Sequence, residues 1–221
     1  MKNATPAMGA YVFLGGLFLL LSILGNAGVP RLIFKGTLMP ALGFWLYLVH
    51  GHLAPFKAYL SIVFAWAGDI FLAAEPAFPR SELPFFLLGM SSFLLMQLCY
   101  IIGIRNLRPH FRGIHWGFFT FYLFLLISLS FTVTSQMGEL LVPVAVYSVF
   151  LAGMALHTAG VSVKMGLGGF IFFISDLCIA LDRIDSGFPH IQDFVMLTYL
   201  VAQYMIISEW SRLIILKAKT Q

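Results

Sequence analysis

Asp69 and Asp176 each stand inside a long apolar run, in Ala-Gly-Asp-Ile-Phe-Leu-Ala and Ile-Ser-Asp-Leu-Cys-Ile-Ala. An ionised carboxylate is expensive in hydrocarbon, so an aspartate kept there is a functional candidate by default. Aligned on each other, the segments read Gly68-Asp69-x-x-x-Ala73-x-Glu75 and Ser175-Asp176-x-x-x-Ala180-x-Asp182, and each aspartate follows a lysine, Lys57 or Lys164, by twelve residues. Two carboxyl groups at matched depth can divide proton donation from charge stabilisation or water activation. The chemistry to expect is acid/base catalysis on a lipid.

The elements that must hold these groups are transmembrane helices. The chain is 60% hydrophobic and only 10% charged, with 23 Phe in 221 residues, whereas an ordinary soluble domain carries roughly 25% charge. The mean hydropathy of +0.93 points the same way. A helix needs about 20 residues to cross the hydrocarbon core. Charge, Pro and Gly punctuate the chain into eight such stretches, at 7–27, 31–50, 57–75, 84–104, 114–134, 139–159, 166–183 and 192–214. The expected fold is an all-α, polytopic transmembrane bundle of about eight helices, forming a single integral membrane domain over 1–221. The first stretch reads as a membrane segment and not as a signal peptide, whose apolar core is shorter. Cys99 and Cys178 fall inside predicted helices and read as small packing residues.

Orientation follows from the cations. With eight spans, one side carries nine of the 13 Lys and Arg residues: Lys2, Lys57, Arg105, Arg108, Arg112, Lys164, Arg212, Lys217 and Lys219. The other side has Arg31, Lys35, Arg80 and Arg183 among six acidic residues, so the positive-inside bias places both termini in the cytoplasm. In a bacterium the host bilayer would be the cytoplasmic membrane. The basic pI of about 9.2 is then a consequence of topology. No basic and aromatic stripe is present, and nucleic acid is excluded as a partner.

Depth follows from helical rise. Twelve residues place each aspartate roughly 18 Å from its cytoplasmic lysine, somewhat past the middle of a core about 30 Å thick. Lys35 then lies about 6 Å below the outer boundary, and Arg183 about 10 Å outward of Asp176. A cationic rim above an acidic floor matches the vertical order of a glycerophospholipid, whose phosphate sits at the interface above the sn-1 linkage. The matched aspartate segments, with Gln97 and Gln203 at nearly the same offset, fit a duplicated four-helix unit with parallel repeats. Matched depth without duplication fits them equally. Tyr199 and Gln203 share a face of the last helix, and Tyr100 and Tyr147 bring further hydroxyls into the bundle. Ser175 reads as a hydrogen-bond partner of the site or of the backbone.

A metal hydrolase needs three or more converging ligands. Of six histidines, His50, His115 and His157 fall within predicted spans, each close to a span end, so neither a metal nor a cofactor is expected. Serine hydrolysis has no nucleophile-elbow pattern and no intramembrane base to support it.

The same residues carry a family resemblance. Lys35-Gly-Thr-Leu-Met-Pro40, Ala67-Gly68-Asp69, Phe173-Ile-Ser175-Asp176 with Ala180-Leu-Asp182-Arg183, and Thr198-Tyr199 with Gln203 resemble, in order and spacing, the segments of the YhhN family of membrane proteins, which includes the lysoplasmalogenases. Gln97 departs from it, standing where the family usually has His. The resemblance implies hydrolysis of the vinyl ether of a lysophospholipid, with Asp69 and Asp176 as catalytic carboxyl groups sharing one proton. Lys35 and Arg183 would orient the phosphate, and Ser175, Tyr100, Tyr147, Tyr199 and Gln203 would line a polar cavity. A hydrolase of another lysolipid, or a lipid-binding or transport protein without turnover, would use the same cavity. Oligomeric state is not readable.

Overall fold

The computed structural model describes residues 4–23, 29–74, 82–107, 117, 120–122, 124–125, 140–183 and 190–219. They are helical almost throughout, in seven α-helices: α1 (Ala4–Ile23), α2 (Val29–His50), α3 (Phe56–Ala74), α4 (Glu82–Ile104), α5 (Leu141–Ala159), α6 (Val163–Arg183) and α7 (Ile191–Lys219). Short 3₁₀ turns follow α2 (Gly51–Leu53) and α4 (Arg105–Leu107). The expected segment at 114–134 lies largely outside the described residues, and those of it that are described are helical.

Five helical stretches are long and apolar enough to cross a membrane: Phe56–Ala74, Pro84–Leu107, Leu141–Ala159, Val163–Asp182 and Ile191–Lys217. Their ends fall within a few residues of the expected spans, because charge and Pro mark both the edge of the apolar stretch and the end of the helix. The last helix differs. It continues past the expected end at 214 to Lys219, since an apolar count stops where hydrocarbon stops. The helix itself continues through Lys217 and Ala218, residues of good helix propensity.

The chain forms two compact units, one of residues 1–103 with 210–221 and the other of residues 104–209. In the first, α1 packs on α2 and α2 on α3. A Cβ on Gly89 would come within 2.9 Å of Leu72, which marks the close approach of α4 to α3. Trp210, near the end of α7, is fully buried and lies edge-on to Tyr100, with ring centroids 5.9 Å apart. In the second unit α5 packs on α6. Gly169 sets that approach: a Cβ there would collide with Thr158 Oγ1 and stand 3.2 Å from the Ala155 Cα. Small residues let helix backbones approach in this way, and packing has to drive association because lipid leaves no hydrophobic difference between helices.

Gly169→Ala should therefore destabilise the protein by about 1–3 kcal/mol, the range for overpacking a filled core. Thermal unfolding in detergent checks it, with a midpoint below that of the native protein as the expected result.

Candidate active site

Asp69 sits at the fourteenth position of α3 and is only 2% exposed. The closest helix packing lies one residue earlier. A Cβ on Gly68 would lie 2.8 Å from the Phe93 ring of α4, so glycine lets that ring close over the α3 backbone beside the carboxylate. The charge is met from the other side by α2, whose Lys35 places Nζ 3.7 Å from Asp69 Oδ1. An ion pair held away from water repays its desolvation only when further polar groups complete it. Tyr11 of α1 lies within electrostatic reach of both Asp69 and Tyr100, and Tyr100 shares a hydrogen bond with Ser61 of α3. Tyr11, Ser61, Lys35, Asp69 and Tyr100 thus make a polar group among four helices of one unit. Sequence reading missed Tyr11. Its signal was a phenol in a run, 9–21, otherwise made of aliphatic, Phe and Gly residues.

Gln97 belongs to the same seam. It lies one turn beyond Phe93 and three residues before Tyr100 on α4, and it is fully buried. Neither of its amide atoms has a hydrogen-bond partner among the described residues, and the same holds for Trp210 Nε1.

Asp176 is held in the second unit. Tyr147 of α5 reaches across to α6 and donates its hydroxyl to Asp176 Oδ2. This neighbour brings a donor and no charge. Ser175 turns away from it and donates to the Val195 carbonyl of α7 at 2.9 Å, so of its two expected roles it performs the backbone one. Tyr199 is buried with its ring 5.9 Å from that of Phe172, and Gln203 is fully buried one turn later. At the end of α6 the exposed Asp182 accepts a hydrogen bond from Gln192 Nε2 at 3.1 Å. The Arg183 side chain lies outside the described residues.

The structure therefore brings Lys35, Asp69 and Tyr100 into one polar group and Asp176 with Tyr147 into another. Among the described residues, no three His, Cys, Asp or Glu side chains converge on a point where a metal ion could sit. What the arrangement offers chemically is two carboxyl groups, Asp69 buried beside an ammonium and Asp176 half-buried beside a phenol.

Comparison with known proteins supplies the relatives. The model of the YhhN family matches residues 30–210. The lysoplasmalogenase TMEM86A of Bos taurus is 28% identical over 188 residues, which cover 76% of this chain and 73% of the bovine protein. No solved structure matches the chain.

The unpartnered Gln97 amide yields a prediction. A buried polar group left unsatisfied costs about 1–3 kcal/mol, whereas an apolar side chain of the same shape is nearly neutral or stabilising. Gln97→Met should raise the thermal midpoint of the lipid-free protein in detergent. A lower midpoint would show that the amide is paired within the fold.

Proposed function

The chain belongs to the YhhN family, and from that premise we propose that it is a membrane-embedded hydrolase of the lysoplasmalogenase type, cleaving the vinyl ether of a lysophospholipid to a fatty aldehyde and a glycerophospho-base. The observation that carries the reading is that both aspartates of the matched region sit on helices long and apolar enough to span a membrane, each held by a polar partner supplied by a neighbouring helix. Carboxylates kept in such a place at such cost are there for chemistry.

A vinyl ether is cleaved by adding a proton to its β-carbon. The α-carbon becomes an oxocarbenium ion, water adds to it and loses a proton, and the hemiacetal collapses to aldehyde and alcohol. The charge problem is that of glycoside cleavage, in which one carboxylic acid donates and a carboxylate steadies the cation or activates water. We assign the donor to Asp176, whose neighbour is a neutral phenol, and the carboxylate to Asp69, whose neighbour is a cation. The water's proton returns to a carboxylate, so the pair is regenerated with no net change. Lys35 has three N–H donors; one can face Asp69 while the others take the phosphate, which fixes position without entering the bond changes. Arg183 is the second candidate for the phosphate, and Tyr100 in one unit and Tyr199 and Gln203 in the other are candidate substrate contacts.

Purified protein given a lysoplasmalogen should release aldehyde, and Asp69→Asn and Asp176→Asn should each abolish that release while the protein still inserts and folds. An amide keeps the shape of the acid and cannot cycle its proton. A panel of lysolipids on one preparation separates the rivals: release of fatty acid from an ester lysolipid identifies a different hydrolase, and binding with no product identifies a carrier. Either aspartate variant retaining near-native turnover removes that residue from the mechanism.

Lys35→Met should act differently. Losing a hydrogen bond to a charged group costs about 1.5–3 kcal/mol, so KM for a phosphate-bearing substrate should rise about ten- to a hundredfold. An analogue without phosphate should lose less, its smaller loss reporting only the cation that Asp69 is deprived of. An equal loss on both substrates would assign the headgroup contact elsewhere.

A further inference from the structure

The Lys35–Asp69 pair depends on how α2 lies against α3, and α2 carries a proline in its middle. In an α-helix the N–H of residue 40 bonds to the carbonyl of residue 36. Pro40 has no N–H, so the Gly36 carbonyl loses its partner. In a span of a bilayer, water is not there to replace it, and a proline is tolerated when a neighbouring helix satisfies the freed group. That neighbour is present. Trp66 of α3 donates its indole Nε1–H to the Gly36 carbonyl at 2.8 Å.

The position of this bond gives it a further consequence. Gly36 is the residue after Lys35, and Trp66 lies three before Asp69, one turn away on the same helix. Between them a Cβ on Gly36 would stand 3.3 Å from Ile70 Cδ1, so the two helices are already in contact at that level. The indole is 41% exposed. It stands at the eleventh of the nineteen positions of α3, mid-span, and so is no part of the aromatic belts that anchor helices at the interfaces.

We propose that Trp66 is a positioning residue: by capping the Gly36 carbonyl that Pro40 leaves free, it fixes the rotation and height of α2 on α3 and thereby holds the Lys35 ammonium against Asp69. It touches neither substrate nor the reacting atoms. The proposal rests on the functional reading above for its catalytic readout, and on the fold alone for its structural one.

A double-mutant cycle tests it. Trp66→Phe keeps a ring and removes the N–H. Pro40→Ala restores a backbone N–H that can take the Gly36 carbonyl within α2 and so makes the indole dispensable. In the native background W66F should lower kcat/KM about tenfold, and in the P40A background the same change should cost threefold or less. W66F and K35M should also be less than additive, because displacing the lysine and removing it have the same effect. Equal costs of W66F in both backgrounds, or full additivity with K35M, would overturn the assignment. A purely structural tryptophan would lower the thermal midpoint without coupling to K35M. Should W66F fail to fold, recovery of the folded protein by P40A supports the capping role and its failure to recover refutes it. If the native protein releases no aldehyde, the functional reading fails, and the W66F/P40A cycle on thermal midpoints still decides the cap by the same non-additivity.

Discussion

A carboxylate in a hydrocarbon layer stays there only if the protein brings its partners with it, and most of what is distinctive in this chain follows from that constraint. Asp69 has an ammonium 3.7 Å away and Asp176 a phenolic donor. Both partners come from a neighbouring helix, so the charge chemistry and the helix packing are one problem. Moving α2 on α3 leaves a buried anion without its cation. Breaking such a pair from one side is far more damaging than never having built it, because the remaining charge is uncompensated.

Close packing is what makes those partners reachable. Gly68 admits the Phe93 ring against the α3 backbone next to Asp69, and Gly169 admits Thr158 where α5 and α6 cross, two turns before Asp176. The exposed sides of these helices are lined by Val63, Trp66, Leu95, Val146 and Val149, among others, which suits contact with acyl chains. The interior is accordingly polar at a few depths and tightly filled elsewhere. Gln97 and the Trp210 indole are exceptions, buried polar groups without a hydrogen-bond partner among the described residues, whereas Tyr100 and Ser61 are paired.

Five of the eight expected spans are met by helices long and apolar enough to cross a membrane, and these were legible because hydropathy and helix length answer to the same bilayer. The two aspartates stood out as candidates because a carboxylate in such a run is costly. Their partners were less legible. Lys35 could be placed near the outer boundary from helical rise alone, yet its contact with Asp69 depends on which face of α2 meets α3, a tertiary fact that no local pattern encodes. Ser175 looked like part of the site by adjacency to Asp176, but adjacent helical residues point about 100° apart, and its hydroxyl serves α7. Tyr11 and Trp66 were missed for a related reason: aromatic residues are so frequent in this chain that only their hydroxyl or N–H partners single them out.

The asymmetry between the two carboxyl groups bears on the proposed reaction in a way that one of them alone would not. An aspartate whose charge is already balanced by Lys35 is a poor stabiliser of a second cation, because the ammonium opposes any positive charge that develops nearby. A lysophospholipid brings its own anion. If its phosphate draws the lysine, the ammonium moves from carboxylate towards headgroup without leaving the protein, and Asp69 is left with uncompensated charge at the moment an oxocarbenium ion needs it. In that arrangement binding energy from the phosphate, remote from the vinyl ether, is spent on making the carboxylate available, which is how contacts away from the reacting bond raise turnover and not only affinity. Such an exchange requires the lysine to start within reach of both groups, and so places the catalytic demand on the register of α2 against α3 that Pro40, Gly36 and Trp66 determine.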